Sequence, residues 1–486
     1  MLKDEAAEIL NSNHTSFDTP QFRLLSDNQI EDIHNTTLEL LRRVGVKFHH
    51  ERALSLLEEA GAYIGEDDQV RFPPGLIEEA ISSTPGRVVL TDRSGDPAMN
   101  LQGTETYFGT GSDTLKYLDP FTGEPRKWET EDICDAYRVV DALDNVEFLM
   151  SVGMPEDKPD GISNYQWQYA HMLRYSSKPA VVVCDDRDDL EAIIDMSTTL
   201  RESREDLSRR PNLLLYSEPT SPLQQSETAL DKLLLMAETE LPVVHSPAPM
   251  MGSTGPIHMA GEMALCNAEI LSALVLHQLE NPGAPFVYGA GPHHFDMKNM
   301  QICYGSPEFQ LTKTAVAELG RYYGMPTWGY AGCSDAKAMD EQAATEATMS
   351  VMMARFSGAN LIHDVGYMES GLATSLEMVA LTDELIEMTK HIMGGLPVNE
   401  KTLMLDQIEE EGPGGDFLGT EETVNHFRDY WEPRFFDRSQ REKWEKSGSP
   451  STKARLNEKV RDIIENYEPD KLDESEVDEI MGLVRA

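Results

Sequence analysis

Apolar and polar positions follow three regimes along the chain. Residues 1–20 mix both kinds without a period and read as a loose arm. A helical period then begins. Ser26 and Asp27 are placed to cap it, Ile30, Ile33, Thr37, Leu40, Leu41 and Val44 fall on one face, and Gly45 ends it. A second helix is predicted over 51–60, with Leu54, Leu56 and Leu57 inward and Gly61 as its stop. Short strands at 69–72 and 87–90 flank a third helix at 74–83. Residues 1–104 therefore read as a small α+β region.

From about residue 105 short β-rich runs recur, each ending in small or polar residues and followed by helical pattern. They lie at 105–111, 146–152, 179–184, 212–217, 241–245, 285–289, 326–330 and 360–364, with starts 29 to 44 residues apart. That is the spacing of βα units. Pro179, Pro211, Pro242, Pro285 and Pro326 stand at or beside strand starts, where a missing N–H costs least. Helices are clearest at 256–279, 307–323, 338–356 and 375–393. Eight such units in order predict an α/β fold, a (β/α)8 TIM barrel over 105–395. A doubly wound open sheet is the runner-up. Its nucleotide fingerprint is missing, because the stretch from Phe108 to Asp113 supplies GxG and no third glycine. After 395 the pattern turns helical and charged. Residues 396–486 read as a helical extension that Trp431, Phe435, Phe436 and Trp444 dock on the barrel, and the last 30 residues as amphipathic acidic helices.

Composition narrows the function classes. Hydrophobic residues are 40 % and charged ones 26 %, a globular balance. With 41 basic and 85 acidic side chains the formal charge is −44, which disfavours nucleic acid and anionic lipid as partners. No run approaches the roughly 18 consecutive apolar residues of a membrane span. The stretch from Met1 to Glu5 lacks the layout of a signal peptide. Five scattered cysteines without a CxxC pair point to a reducing cytoplasm. Lysines number 17 against 24 arginines, and a lysine-poor acidic surface fits a saline cytoplasm.

In a barrel the chemistry belongs at the C-terminal strand ends. That rule selects Gly111, Ser112, Asp113, Asp185, Ser217, Glu218, His245, Gly289, His293, Trp328, Tyr330, Asp335, His363, Asp364, Tyr367 and Glu369. The last three units are rich in rings (Tyr288, Tyr304, Trp328, Tyr330, Tyr367), with carboxylates nearby and few lysines. An aromatic wall beside carboxylates suits an organic cation. Each ring alone could equally be packing. The adjacent pair His293 and His294 would point opposite ways on a strand, His49 and His50 read as surface, and HExxH is absent, so no metal site is expected. GxSxG is absent too, against a serine hydrolase. Cys333 lacks a cationic setting that would activate it.

The stretches Gly329-Tyr-Ala-Gly-Cys-Ser-Asp-Ala-Lys337, Asp340-Glu-Gln-Ala343 and Gly358-Ala-Asn-Leu-Ile-His-Asp-Val-Gly-Tyr-Met-Glu-Ser-Gly371 resemble the trimethylamine methyltransferase superfamily. The resemblance spans nearly the whole chain, from the helix ending Leu-Leu-Arg-Arg-Val-Gly45 to Trp431-Glu-Pro-Arg-Phe-Phe-Asp-Arg438. It implies a barrel enzyme of one-carbon metabolism, including methanogenesis, that passes a methyl group from a methylated amine to the cob(I)alamin of a separate corrinoid protein. The archetypal enzymes carry pyrrolysine near the region that here runs from Trp328 to Lys337. Only standard residues stand here, which implies a quaternary amine, already activated because its leaving group is a neutral tertiary amine. Glycine betaine is favoured, with dimethylglycine as product. Carnitine, proline betaine and butyrobetaine are alternatives, as are a zinc-dependent barrel enzyme and a non-catalytic quaternary-amine binder.

On this reading Trp328, Tyr330 and Tyr367 cage the ammonium, and Tyr330 and Asp335 position the substrate. His363, or failing that His245, holds the betaine carboxylate. Glu218, Asp335 and Glu369 complement the cation or orient His363. No acid–base residue is needed. The DxHxxG signature of a corrinoid module is missing, since Asp32-Ile33-His34-Asn35 lacks its glycine, so no tightly bound cofactor is expected in this chain and the acceptor is a second protein. A homo-oligomer is expected.

Overall fold

The protein is described by a computed structural model covering residues 22–484. The loose arm expected at 1–20 lies outside the described residues. The first helix, Asp27–Arg43, starts at a capping box formed by Ser26 and Gln29 and buries Ile30, Ile33, Thr37 and Leu41. The helices Glu51–Glu59 and Pro74–Ser83 follow as the apolar spacing predicts. His50, expected on the surface, is half-buried. It caps the second helix by accepting from the Ala53 amide and reaches Asp231 at 2.9 Å. The strand Val46–Phe48 pairs antiparallel with Gln69–Arg71 and in parallel with Gln224–Gln225, tying this region to the chain beyond residue 105.

The eight β-rich runs pair in parallel and in sequence order. Ala180–Val182, Leu213–Ser217, Val243–His245 and Phe286–Val287 form one four-stranded sheet. Trp328–Tyr330, Leu361–Val365 and Tyr107–Thr110 form another. Single parallel bridges, Tyr288 with Thr327, Leu149 with Ala180 and Gly109 with Phe148, link the two sheets on both sides. The second run, expected as a full strand, contributes only its bridges at Phe148 and Leu149.

Alternation along these strands separates two layers. Val181, Leu214, Val244, Val287, Trp328 and Leu361 share one apolar cluster, which the hairpin of Val88–Thr91 and Pro97–Leu101 covers with Val88, Leu90, Met99 and Leu101. Ala180, Val182, Leu213, Leu215, Val243, Phe286 and Ile362 face the helices on the other side. Among those helices Met259–Glu280 is long and apolar enough to span a membrane, but its surface is buried against Asp27–Arg43 and Pro74–Ser83.

The helix Thr452–Asn466 packs on Leu376–Met393 and Thr130–Asp141. Phe435 is buried there, with its amide on Glu384 at 2.6 Å. Trp431 and Trp444 stay half-buried.

Candidate active site

The period of two decides which strand residues meet. Trp328 and Tyr330 point to the hairpin-covered side, while Gly329 between them faces Ala359 and Ile362 on the helix side. On the neighbouring strand His363 stands in phase with Leu361. Its ring lies 4.3 Å from Trp328 and 4.4 Å from Tyr330, centroid to centroid. Tyr216, in phase with Leu214, lies 5.4 Å from Trp328 and 5.8 Å from His363. The ring wall continues from Tyr330 to Phe309 (5.5 Å), His293 stacked on Phe309 (4.9 Å), and Tyr304, which meets Tyr367 edge-on at 6.1 Å.

Neighbouring backbone is shaped to admit these rings. A Cβ on Gly291 would lie 2.5 Å from the Tyr330 hydroxyl, and one on Gly111 would overlap the Tyr367 ring. The Tyr330 hydroxyl meets Ser246 Oγ at 3.0 Å. The Tyr367 hydroxyl accepts from the Ser112 amide at 2.6 Å and donates to the Ser112 carbonyl. Lys313, on the helix Pro307–Tyr322, donates to the Tyr330 carbonyl at 2.7 Å and the Ser350 carbonyl at 3.2 Å. Burial holds its ammonium down to about 8.

Trp328, Tyr330, His363 and Tyr367 are all buried, so they form the back of the site. Tyr216 is half-buried, and its hydroxyl donates to Glu218 Oε1. Glu218 keeps accessible surface in a space that protein nearly encloses, and burial pushes its carboxyl up, against the pull of Tyr216 and His363. Asp113, in left-handed backbone, accepts from Ser151 Oγ at 2.6 Å. Burial pushes it up to about 6, and the nearby Glu218 adds to that shift.

The site gathers buried polar atoms without hydrogen-bond partners among the described residues: Trp328 Nε1, His293 Nε2, both ring nitrogens of His363 and both oxygens of Asp364. Such atoms cost free energy unless a ligand or water meets them. Asp364 is fully buried with φ +79°, in a strand whose register shifts between Ile362 and Val365. Its Oδ1 lies 3.0 Å from His363 Nδ1, an ion-pair distance without hydrogen-bond alignment.

Three of the expected residues fall elsewhere. His245 is in phase with Val243, so it points into the helix layer. Its Nε2 meets Gln225 Oε1 at 2.8 Å, and burial holds its imidazole down to about 3, leaving no cation for a carboxylate. Glu369 pairs with Lys116 at 2.9 Å. Asp335 accepts from the Tyr304 and Gly305 amides and from Ser370 Oγ, knitting loops behind Tyr304. Tyr288 also faces the helices, donating to Asn267 at 2.8 Å. Cys333 is buried with its thiol pushed well up.

Sequence reasoning passed over Tyr216, Ser246, Phe309 and Lys313. Alternation from Leu214 and Val244 marks the first two, and Lys313 stands out as a lysine four residues after Phe309 on a buried helix stripe. Among the described residues no three His, Cys, Asp or Glu stand together as a metal site.

The chain matches the family model described as trimethylamine methyltransferase (MTTB) over residues 3–485. It is 31 % identical over 450 residues to a trimethylamine methyltransferase of Desulfitobacterium hafniense (strain DSM 10664 / DCB-2), covering 92 % of this chain and 90 % of that one. It is also 31 % identical over 459 residues to a glycine betaine methyltransferase of Desulfitobacterium hafniense (strain Y51), covering 93 % and 95 %. Its fold resembles the crystal structure of the Methanosarcina barkeri monomethylamine methyltransferase, with TM-score 0.51, 12 % identity, and 92 % and 89 % of the two chains covered. The chain belongs to the trimethylamine methyltransferase family.

Proposed function

We propose that the protein transfers a methyl group from a quaternary amine, with glycine betaine favoured, to the cob(I)alamin of a separate corrinoid protein. The observation that carries the reading is the ring wall of Tyr216, Trp328, Tyr330 and His363, edged by the Glu218 carboxyl and holding unpartnered N–H groups. Rings and a carboxyl attract an ammonium. Trp328 Nε1 and a His363 nitrogen supply donors for a substrate carboxylate. The likeness to a glycine betaine methyltransferase supports the same substrate class. We read the sequential parallel pairings as a (β/α)8 barrel over about 105–395, with residues 1–104 and 396–486 outside the ring. The site then opens at its C-terminal strand ends.

In the transfer the N–CH3 bond breaks, the methyl carbon bonds to cobalt, and the bonding pair stays on nitrogen as a neutral tertiary amine. The nitrogen needs no proton. Tyr216 and Glu218 face the ammonium, with Tyr330 and Trp328 behind them. His363 fixes the opposite end, so one methyl is aimed outward in line with the acceptor. The reading is tested by mixing the purified protein with cob(I)alamin and glycine betaine and following the loss of the Co(I) absorbance. Methylation with glycine betaine is expected. Silence with glycine betaine, carnitine, proline betaine and butyrobetaine alike would overturn the reading.

A further inference from the structure

The helix Leu376–Met393 carries the chain away from the candidate site. Near its far end Lys390 donates to Asn145 at 3.1 Å and Glu147 at 2.7 Å, residues that lead into the second strand position. The next stretch therefore leaves the molecule on the side opposite the ring wall. The chain returns where Arg434 pairs with Asp383 at 2.5 Å.

Between 396 and 430 ten large apolar side chains are 40 % to 83 % exposed, led by Leu396, Leu418, Tyr430 and Leu405. The short helices Glu400–Leu403, Leu405–Glu411 and Glu421–His426 have no buried residue. Hydrogen bonds of residues 396–430 to described residues stay within five positions along the chain. At roughly 100 Å² apiece the ten side chains, all within one 35-residue stretch, present on the order of 1,000 Å² of apolar surface, above the about 800 Å² per partner of a standard interface.

A receiving surface exists on the same chain. Met349, Met352, Met353 and Phe356, on the helix Glu341–Ser357, line an apolar groove of about 600 Å³. Methionine side chains adapt to an apolar partner. The arm is anchored at Lys390, by the start of the second strand position and away from the strand ends, which suits a partner that need not reach the ring wall, and its surface is too large for a small ligand.

We propose that residues 396–430 are an exchange arm that packs in the Met349–Phe356 groove of a second copy of this chain. Because each copy has both arm and groove, one two-fold axis satisfies both contacts. Light scattering on the full chain is expected to give at least twice 54.4 kDa. Leu405→Asp with Leu418→Asp is expected to return it to one chain, as is Met352→Asp alone. Tyr63→Asp, on the N-terminal sheet, is expected to leave the mass unchanged. A monomeric wild type, or arm variants that keep the wild-type mass, would overturn the proposal. A groove variant that keeps its mass would overturn the receiving surface. Should the arm variants fail to fold, hydrogen exchange on the wild type decides. Protection of 396–430 that deepens with protein concentration is expected, and fast exchange at every concentration would overturn the arm.

Discussion

His363 sits between the Trp328 and Tyr330 rings, and among the described residues neither of its nitrogens has a hydrogen-bond partner. If it holds a substrate carboxylate, His363→Ala should lower kcat/KM for glycine betaine about 10- to 100-fold, the worth of a hydrogen bond to a charged group. Use of choline, a quaternary amine without a carboxylate, should stay within about two-fold. An equal loss on both would assign His363 to packing. Tyr216→Ala should lower kcat/KM for either amine by roughly 30-fold, as expected when a desolvated cation–π contact is lost. Trp444→Ala, whose indole bonds the Pro450 carbonyl far from the rings, should leave both unchanged, and equal effects would contradict the strand-end assignment. Strand-end position alone selects Trp328, Tyr330 and His363, which the fold brings together, but it also admits His245, which the fold turns away. Phase would have separated them, because His245 alternates with Val244 and His363 with Ile362. Glu369 and Asp335 were beyond that rule, since loop geometry aims them at Lys116 and the Tyr304 backbone.

At the scale of elements, helices with caps and apolar stripes were legible: Asp27–Arg43 and Pro74–Ser83 fall where the spacing predicts. The hairpin over the strand cluster was not, because residues 97–101 carry no β-rich run and gain their order from pairing with Val88–Thr91 and from the apolar cluster that Met99 and Leu101 join. The helix Met259–Glu280 carries a hidden cost. Glu262 is fully buried against Gly255, with both oxygens unpartnered among the described residues. Burial, with Glu269 adding, pushes its carboxyl from 4.5 up to about 8. Folding therefore favours its protonated form. The cost is absent well below pH 4.5, grows through the window from 4.5 to 8 by up to about 1.4 kcal/mol per pH unit, and is full above it. Glu262→Gln should raise Tm by several degrees at pH 8.5, with the gain shrinking towards pH 5. An unchanged Tm at pH 8.5 would contradict this account.

The whole molecule is acidic, at −44, yet Lys313 is buried directly behind the ring wall. The charge bears on partners without locating the site, while alternation along the parallel strands brings the site's residues together. Residues 396–430 were legible as helical but not as exposed, because a lone sequence does not show which apolar face lacks a cover within its own chain. The central claim is methyl transfer from a quaternary amine, and its most direct measurement follows the methyl carbon. With glycine betaine labelled with 13C in its N-methyl groups, the wild-type protein and cob(I)alamin should yield dimethylglycine one-for-one with the cobalt methylated. Betaine that binds but yields no dimethylglycine would contradict the account.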